Sequence, residues 1–400
     1  MSKCRIAIVV PALTNGGGVP AVARFLYRVI AESGRYQPEL ISLATSMLDQ
    51  SSVRLLSPAS YLRGPRIVGG VWEEKPMLHA GAFLAEFEFQ RYRPRRALTK
   101  LLNGYDLIQV VAGTPAWALV GKHVIRPVVL QVATLAPVER GTVLANRSGI
   151  DGLWLRWMTK VTSRLDIISL RYVESVFVEN EWMYSHLREY VNPSKVVLAP
   201  LGVDTHLFNP GVYREESYIL AVGRFGDPRK NVKMLFEAYY HLRQAMPQSP
   251  RLMLVGQTLP SRADLDLSVS LGIADYVDIK VDATVEELAE IYRNAALFVL
   301  SSDEEGLGIV ILEAMASGIP VVSTRSGGPE TIIVDGKTGC LTPGGDARAM
   351  TKTIQPLLAD ASLRRRMGEA GRRLVEEHFS LEAAGKVYLE KYDELTATAK

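Results

Sequence analysis

Short apolar runs alternate with longer amphipathic stretches along this chain, the pattern of a parallel sheet covered by helices. In the first half, strands are predicted at residues 5–10, 39–43, 106–111, 128–132, 175–178 and 195–199. Helical periodicity falls between several of them, as at 21–33 and 154–165. Residues 46–105 do not keep the rhythm. Scattered Pro and Gly and a basic cluster point to an irregular insertion there. A second break comes at Pro200-Leu201-Gly202-Val203-Asp204, and Asn209-Pro210-Gly211 adds a turn signal. A new series then places strands at 218–222, 252–255, 276–280, 297–300 and 321–323. The fold class is therefore α/β, with two doubly wound domains at 1–205 and 206–383. A ligand is expected in the cleft between them, since such sheets bind ligands outside the carboxyl ends of their strands.

Length agrees with this division. Four hundred residues exceed one ordinary core and suit two domains. With 48% apolar and 22% charged residues, the chain has the composition of a folded protein rather than a disordered one. No apolar run approaches the roughly 18 residues needed to cross a bilayer. Lys3-Cys4-Arg5 followed by residues 6–10 resembles the start of a signal peptide, but Pro11 and Gly16-Gly17-Gly18 cut the run short. It reads as a first buried strand. Cys4 and Cys340 lie at opposite ends of the sequence and form no disulfide framework or metal spacing. A cytoplasmic location is expected.

The net charge of +3 hides a split. Residues 1–200 hold 24 Lys and Arg against 15 Asp and Glu, whereas residues 201–400 hold 22 against 28. Two domains with different partners are implied.

The richest stretch runs from Ser301 to Gly318. It follows an apolar strand, turns at Gly306 and Gly308, and becomes a helix closed by Gly318-Ile319-Pro320. Glu305 stands in the turn and Glu313 lies about two helical turns later. The helix start offers free backbone N–H groups and a positive dipole end, which suit a phosphate. One carboxylate can accept hydrogen bonds from a sugar, the other from a ribose. Elsewhere, Arg224 and Lys230 occupy a short loop after a strand, where an Arg fork and a compact Lys charge can converge on a diphosphate. Arg229 fits a solvated position equally well. Gly16-Gly17-Gly18 makes a strand-to-helix turn through which backbone can approach a phosphate. It lacks the six-residue dinucleotide fingerprint and its following acidic residue, which argues against a dehydrogenase. The Asp303-Glu304 pair reads as a solvated loop, and no metal-ligand spacing or nucleophile elbow is present.

These motifs together resemble glycosyltransferase family 4, retaining enzymes of the GT-B fold, whose Glu-x7-Glu motif matches Glu305 and Glu313. Gly223-Arg224 with Lys230-Asn231 resembles the family's diphosphate clamp, and Gly202-Val203-Asp204-Thr205 with Phe208 and Pro210 its interdomain linker. Leu254-Val255-Gly256, Gly327-Gly328-Pro329-Glu330, Asp335-Gly336 and Gly339 fall at the family's positions. Phe379-Ser380 and the helix after it, about 384–400, resemble the closing helix that returns to the first domain. The likeness covers nearly all of 196–400 but little before that beyond the first strand and glycine loop.

The resemblance implies a metal-independent transferase that takes a sugar from a UDP- or GDP-sugar. The acceptor is a glycan, a lipid-linked sugar or a small molecule. No cofactor is implied. Glu305, Arg224 and Lys230 would act in catalysis. Gly17, Gly18, Arg224, Lys230, Gly306, Leu307, Gly308, Ile309 and Glu313 would hold the donor. One departure is Ala133, at a position after the 127–132 strand where many members carry His; Thr134 beside it supplies a hydroxyl. A hydrolase or epimerase of the same fold, or a non-catalytic nucleotide-sugar binder, remains an alternative reading.

Two basic patches stand apart. Residues 91–100 hold Arg91, Arg93, Arg95, Arg96 and Lys100, and residues 153–160 interleave Trp154 and Trp157 with Arg156 and Lys160. Such faces suit an anionic membrane surface or an acidic, lipid-linked acceptor. No nucleic-acid module is visible.

Overall fold

The computed structural model describes residues 3–11, 13, 18–141, 144, 147–211 and 217–398. Its contacts divide the chain into one unit of Met1–Ala199 with Gly385–Lys400, and a second of Pro200–Ala384.

The first unit is built on β1 (Cys4–Pro11), β2 (Tyr36–Leu43), β3 (Ile67–Trp72), β4 (Lys75–Ala80), β5 (Leu107–Ala112), β6 (Val128–Val132), β7 (Ser175–Val178) and β8 (Val196–Leu198). They form one sheet in the order β3-β4-β2-β1-β5-β6-β7-β8, parallel except at β3. Every residue of β5, β6 and β7 is buried. Helices cover both faces of such a sheet, which is why these strands read as continuous apolar runs rather than alternating ones.

The segment 46–105 corrects the expectation of an irregular insertion. It contains the antiparallel β3–β4 hairpin, joined at Glu73 and Glu74 with φ of 46° and 63°. Both turn residues are left-handed, yet neither is the Gly, Asn or Asp that normally announces such a turn. The helix expected at 154–165 runs much further, over Gly149–Tyr172.

Two buried strand glutamines are explained by the last helix, Leu381–Thr398. Tyr392 donates to Gln109 Oε1 at 2.7 Å, and Tyr388 donates to Gln131 Oε1 at 2.9 Å and to the Ala199 carbonyl at 2.8 Å. Gln131 in turn donates to Glu179 at 3.2 Å. Burial pushes the Glu179 carboxyl up to about 7, and that of Asp166 likewise to about 7. Both are nearly inaccessible, at 7% and 1% exposure. Their folded pKa values lie above the unfolded ones, so the folded state holds more protons between about pH 4 and 7. Stability is then lost as pH rises through that window. Thermal melts should show the first unit melting lower at pH 8 than at pH 5.5. Glu179→Gln should recover roughly 1–3 kcal/mol at pH 8, less than half as much at pH 5.5 and almost nothing near pH 4.

The second unit carries β9 (Tyr218–Val222), β10 (Leu252–Gly256), β11 (Val277–Val281), β12 (Ala295–Leu300), β13 (Val321–Thr324) and β14 (Cys340–Thr342). The order β11-β10-β9-β12-β13-β14 is that of a doubly wound sheet, with β9 and β12 side by side where the strand order reverses. The strand β14 is short and was not anticipated from the sequence. The α/β class and the paired doubly wound sheets agree with the sequence pattern.

Candidate functional site

Three turns meet at the carboxyl ends of β9, β12 and β13. The first, residues 223–231, is organised by Asp227. Its carboxylate accepts from the Arg229 backbone N–H at 3.1 Å and from Arg229 Nη2 at 2.8 Å, and the neighbouring Arg229 holds Asp227 below the usual carboxylate range. Arg224 Nη2 lies 3.4 Å from the same carboxylate, with its side chain half exposed. Arg229 is therefore not merely solvated; it braces this turn.

The second turn, residues 301–308, is fastened to the first on both sides of Lys230. Ser301 Oγ donates to the Lys230 carbonyl at 2.9 Å, and the Asp303 N–H donates to the Arg229 carbonyl at 2.8 Å. Asn231, with φ of 46°, accepts from Met234 N at 3.0 Å and donates to Asp303 Oδ1 at 2.7 Å. Asp303 thus links the turns. Among the described residues no three His, Cys, Asp or Glu side chains gather as a metal site.

Lys230 is not an open-loop cation. Its Nζ lies 2.5 Å from Glu305 Oε1, and the two side chains are only 14% and 11% exposed. Ser302 Oγ donates to that same oxygen at 2.7 Å. The third turn holds Glu305 by its backbone: Glu305 N–H donates to Ser326 O at 2.8 Å, and Gly328 N–H to Glu305 O at 3.0 Å. A Cβ at Gly328 would stand 2.6 Å from the Leu307 backbone, so this crossing requires glycine.

Gly308, at φ of 88°, opens the helix Ile309–Ala316, and no side chain caps it. A left-handed residue there admits little but glycine, and the first N–H groups of a helix have no partner within it. Gly306 is exposed, whereas the Leu307 side chain is core, so Leu307 can meet a ligand only through its backbone. Glu313 lies further along this helix. Tyr292, fully buried, donates its hydroxyl to Glu313 Oε2 at 2.8 Å. Burial pushes the Glu313 carboxyl up to about 7, and the Tyr292 bond only partly opposes it. Arg372 secures the far end of the helix, donating to Ala316 O at 2.6 Å and to Phe208 O at 2.7 Å.

The second unit thus brings Arg224, Lys230, Glu305, Gly306, Gly308, Ile309 and Glu313 onto adjoining elements. Sequence reasoning missed Ser302 and Tyr292. Ser302 sits three residues before Glu305 and was findable as its neighbour. Tyr292 reaches Glu313 from another helix, and no local pattern signals it. In the first unit, Gly17 lies outside the described residues and Gly18 is the exposed first residue of the helix Gly18–Glu32. Ala133 stands just beyond β6, and Thr134 N–H donates to Gly113 O at 2.9 Å. The 91–100 cluster is not one charged face: Arg95 is buried and Arg91 half-buried, leaving Arg93, Arg96 and Lys100 exposed.

Residues 203–374 match the family described as glycosyl transferases group 1. This match lies within the second unit. The MMP alpha-(1->4)-mannosyltransferase of Mycolicibacterium hassiacum is 33% identical over 208 residues, 52% of this chain and 50% of the relative. That match spans about half of the relative's length. The D-inositol 3-phosphate glycosyltransferase of an Arthrobacter species is 28% identical over 96% of this chain and 91% of its own. Among solved structures, Anabaena HepE in complex with UDP and glucose superimposes with a TM-score of 0.70 at 15% identity, over 98% of this chain and 100% of that one. At that identity the likeness shows the fold alone, GT-B.

Proposed function

We propose that this protein transfers a sugar, with retention at the anomeric carbon, from a nucleotide-diphosphate sugar to a glycan, lipid-linked or small-molecule acceptor. The observation that carries the proposal is the Lys230–Glu305 pair, set at the strand-order reversal beside an uncapped helix start. Breaking the donor's glycosidic bond leaves negative charge on the diphosphate, which preorganised cations and N–H groups stabilise most where water is excluded. Lys230 and Arg224 supply the cations, and the backbone at Gly306, Gly308 and Ile309 supplies the donors. Glu305 orients the transferred sugar through Oε2, the oxygen that neither Lys230 nor Ser302 uses. Glu313 receives the ribose hydroxyls. The donor's own phosphate oxygen takes the acceptor proton, so Ala133 in place of His need not abolish transfer. Arg and Lys stand where other enzymes place a metal, and the reaction needs none. A relative whose name specifies GDP-mannose and a neighbour holding UDP support a uridine or guanosine donor.

The test is a melting screen against UDP- and GDP-sugars, in which a tight donor raises the melting temperature by mass action. Transfer to added acceptors should then survive excess chelator. Complete loss, restored by one divalent ion, would show that the acidic turn binds metal after all. Turnover that ignores the acceptor would instead favour a hydrolase or epimerase, and binding without any turnover a non-catalytic receptor.

No helix among the described residues is long and apolar enough to cross a membrane. We place the protein in the cytoplasm, resting peripherally on an anionic leaflet. The support is Arg93, Arg96 and Lys100 together with Trp154 and Trp157, which are about half exposed.

A further inference from the structure

Strand β3 is the outer strand of the first unit's sheet, and among the described residues no strand lies beyond it. It runs antiparallel to β4, with Trp72 facing Lys75 across the two-residue turn. The pair that closes such a hairpin is hydrogen-bonded, so Trp72, Gly70 and Val68 bond to β4. The same alternation continues to Arg66, whose carbonyl accepts from the Gly81 N–H at 2.9 Å. Ile67, Gly69 and Val71 therefore turn their N–H and C=O groups toward the open edge. Gly69 is exposed, with nothing within 4 Å of where a Cβ would stand, and Val71 is 69% exposed.

Folded proteins blunt such an edge with charges, proline or a bulge. Within β3 there is none of these: it reads Ile67-Val68-Gly69-Gly70-Val71-Trp72, and its ladder with β4 is unbroken. The charges lie just outside it, Arg66 before the strand and Glu73 and Glu74 after it. Glu73 is held by Arg24, which donates from Nε at 2.9 Å, whereas Arg66 and Glu74 are exposed. A strand with a positive start and a negative end complements itself when turned antiparallel. Residues that face each other across the edge must both bond or both not bond, so a two-fold axis has to pass through a residue rather than between two. With the axis at Gly70, Gly69 of each copy exchanges both bonds with Val71 of the other, and Arg66 stands opposite Glu74. An axis at Gly69 would set Arg66 against Trp72 instead. The opposite charges thus pin a register that the glycines alone leave loose.

Six paired residues bury less than the roughly 1,200 Å² of a stable interface. More apolar surface is at hand where β3 begins. Leu56 and Leu62 are 93% and 94% exposed, and Tyr61 packs edge-on against Phe83, just past β4. Large apolar side chains gathered at one end of an open edge mark a contact surface. The two-fold axis brings the Glu73–Glu74 turn of one copy toward this end of the other.

We infer that β3 pairs antiparallel with β3 of a second copy across a two-fold axis at Gly70, joining the two sheets edge to edge. Such an interface is isologous, each patch meeting its own image. The inference does not rest on the transferase reading, and its test does not use activity.

Sedimentation of the full chain over a range of concentrations is expected to show monomer giving way to dimer. Hydrogen exchange at the Gly69 and Val71 amides should slow as the dimer forms. Val71→Pro removes an outward N–H and no bond to β4, and edge strands accept proline. It should abolish the dimer. Should it fail to fold, charge reversal decides. Arg66→Glu should weaken the dimer at least about tenfold, because each end then opposes like charges. Arg66→Glu/Glu74→Arg should restore it, which a purely local role for either residue would not produce. Monomer at every concentration, a dimer unchanged in Val71→Pro and Arg66→Glu, or no rescue in the double variant overturns the inference. So does a monomeric chain that pellets with phosphatidylglycerol vesicles and loses this in Leu56→Ser/Leu62→Ser, an outcome that gives the apolar patch to a membrane.

Discussion

Replacing Lys230 by alanine is expected to lower kcat/KM by about 2–4 kcal/mol in transition-state terms, the range for a lost preorganised group facing developing charge. Arg224→Ala should cost a similar amount. The two variants should differ in stability. Arg224 is half exposed, and among the described residues its side chain reaches only Asp227, at a long 3.4 Å, so its removal should scarcely move the melting temperature. Lys230 is enclosed with Glu305, and removing one member leaves the other charge poorly compensated. Lys230→Ala should therefore melt lower, by an amount corresponding to roughly 1–3 kcal/mol. Steady-state kinetics with a saturating acceptor, paired with melts, separates the two effects. Near-normal turnover in both variants would remove the diphosphate role.

The sequence revealed what depends on local pattern. Apolar runs marked the buried parallel strands, and the break at Pro200 fell where contacts divide the units. The strand-turn-helix around Glu305 was legible because glycines, a carboxylate and a helix start share one short stretch. What the sequence hid depends on distant partners or on unmarked backbone. Lys230 looked like a free loop cation because Glu305 lies 75 residues away. The 67–80 hairpin was invisible because two glutamates adopt a turn that normally advertises itself through glycine. Arg95 looked like one of five surface charges. A count of charges carries no information on which side chain the fold turns inward, and Arg95 is 7% exposed.

The last expected result separates the two glutamates. In Glu305→Gln the amide oxygen can still accept from Lys230 and Ser302, so the turn should keep its geometry. The negative charge opposite Lys230 is gone, so a free nucleoside diphosphate should bind as well as before or tighter. Transfer should nonetheless fall by about 10²–10³-fold, because the group proposed to orient the sugar has lost its charge. Glu313 predicts the opposite pattern: with the proposed ribose role, Glu313→Ala should weaken the diphosphate itself. Burial pushes its carboxyl up to about 7, and ribose hydroxyls bond best to the ionised form, so protons compete with the nucleotide. Below pH 7 the wild-type affinity should therefore drop toward a tenfold loss per pH unit. The ligand's terminal phosphate also titrates near pH 6, and it contributes to that slope in every variant. The difference between wild type and Glu313→Ala, measured from pH 5.5 to 8.5, isolates the carboxyl. A matching pH dependence in the two proteins, or equal loss of diphosphate binding in the Glu305 and Glu313 variants, would contradict this division of labour.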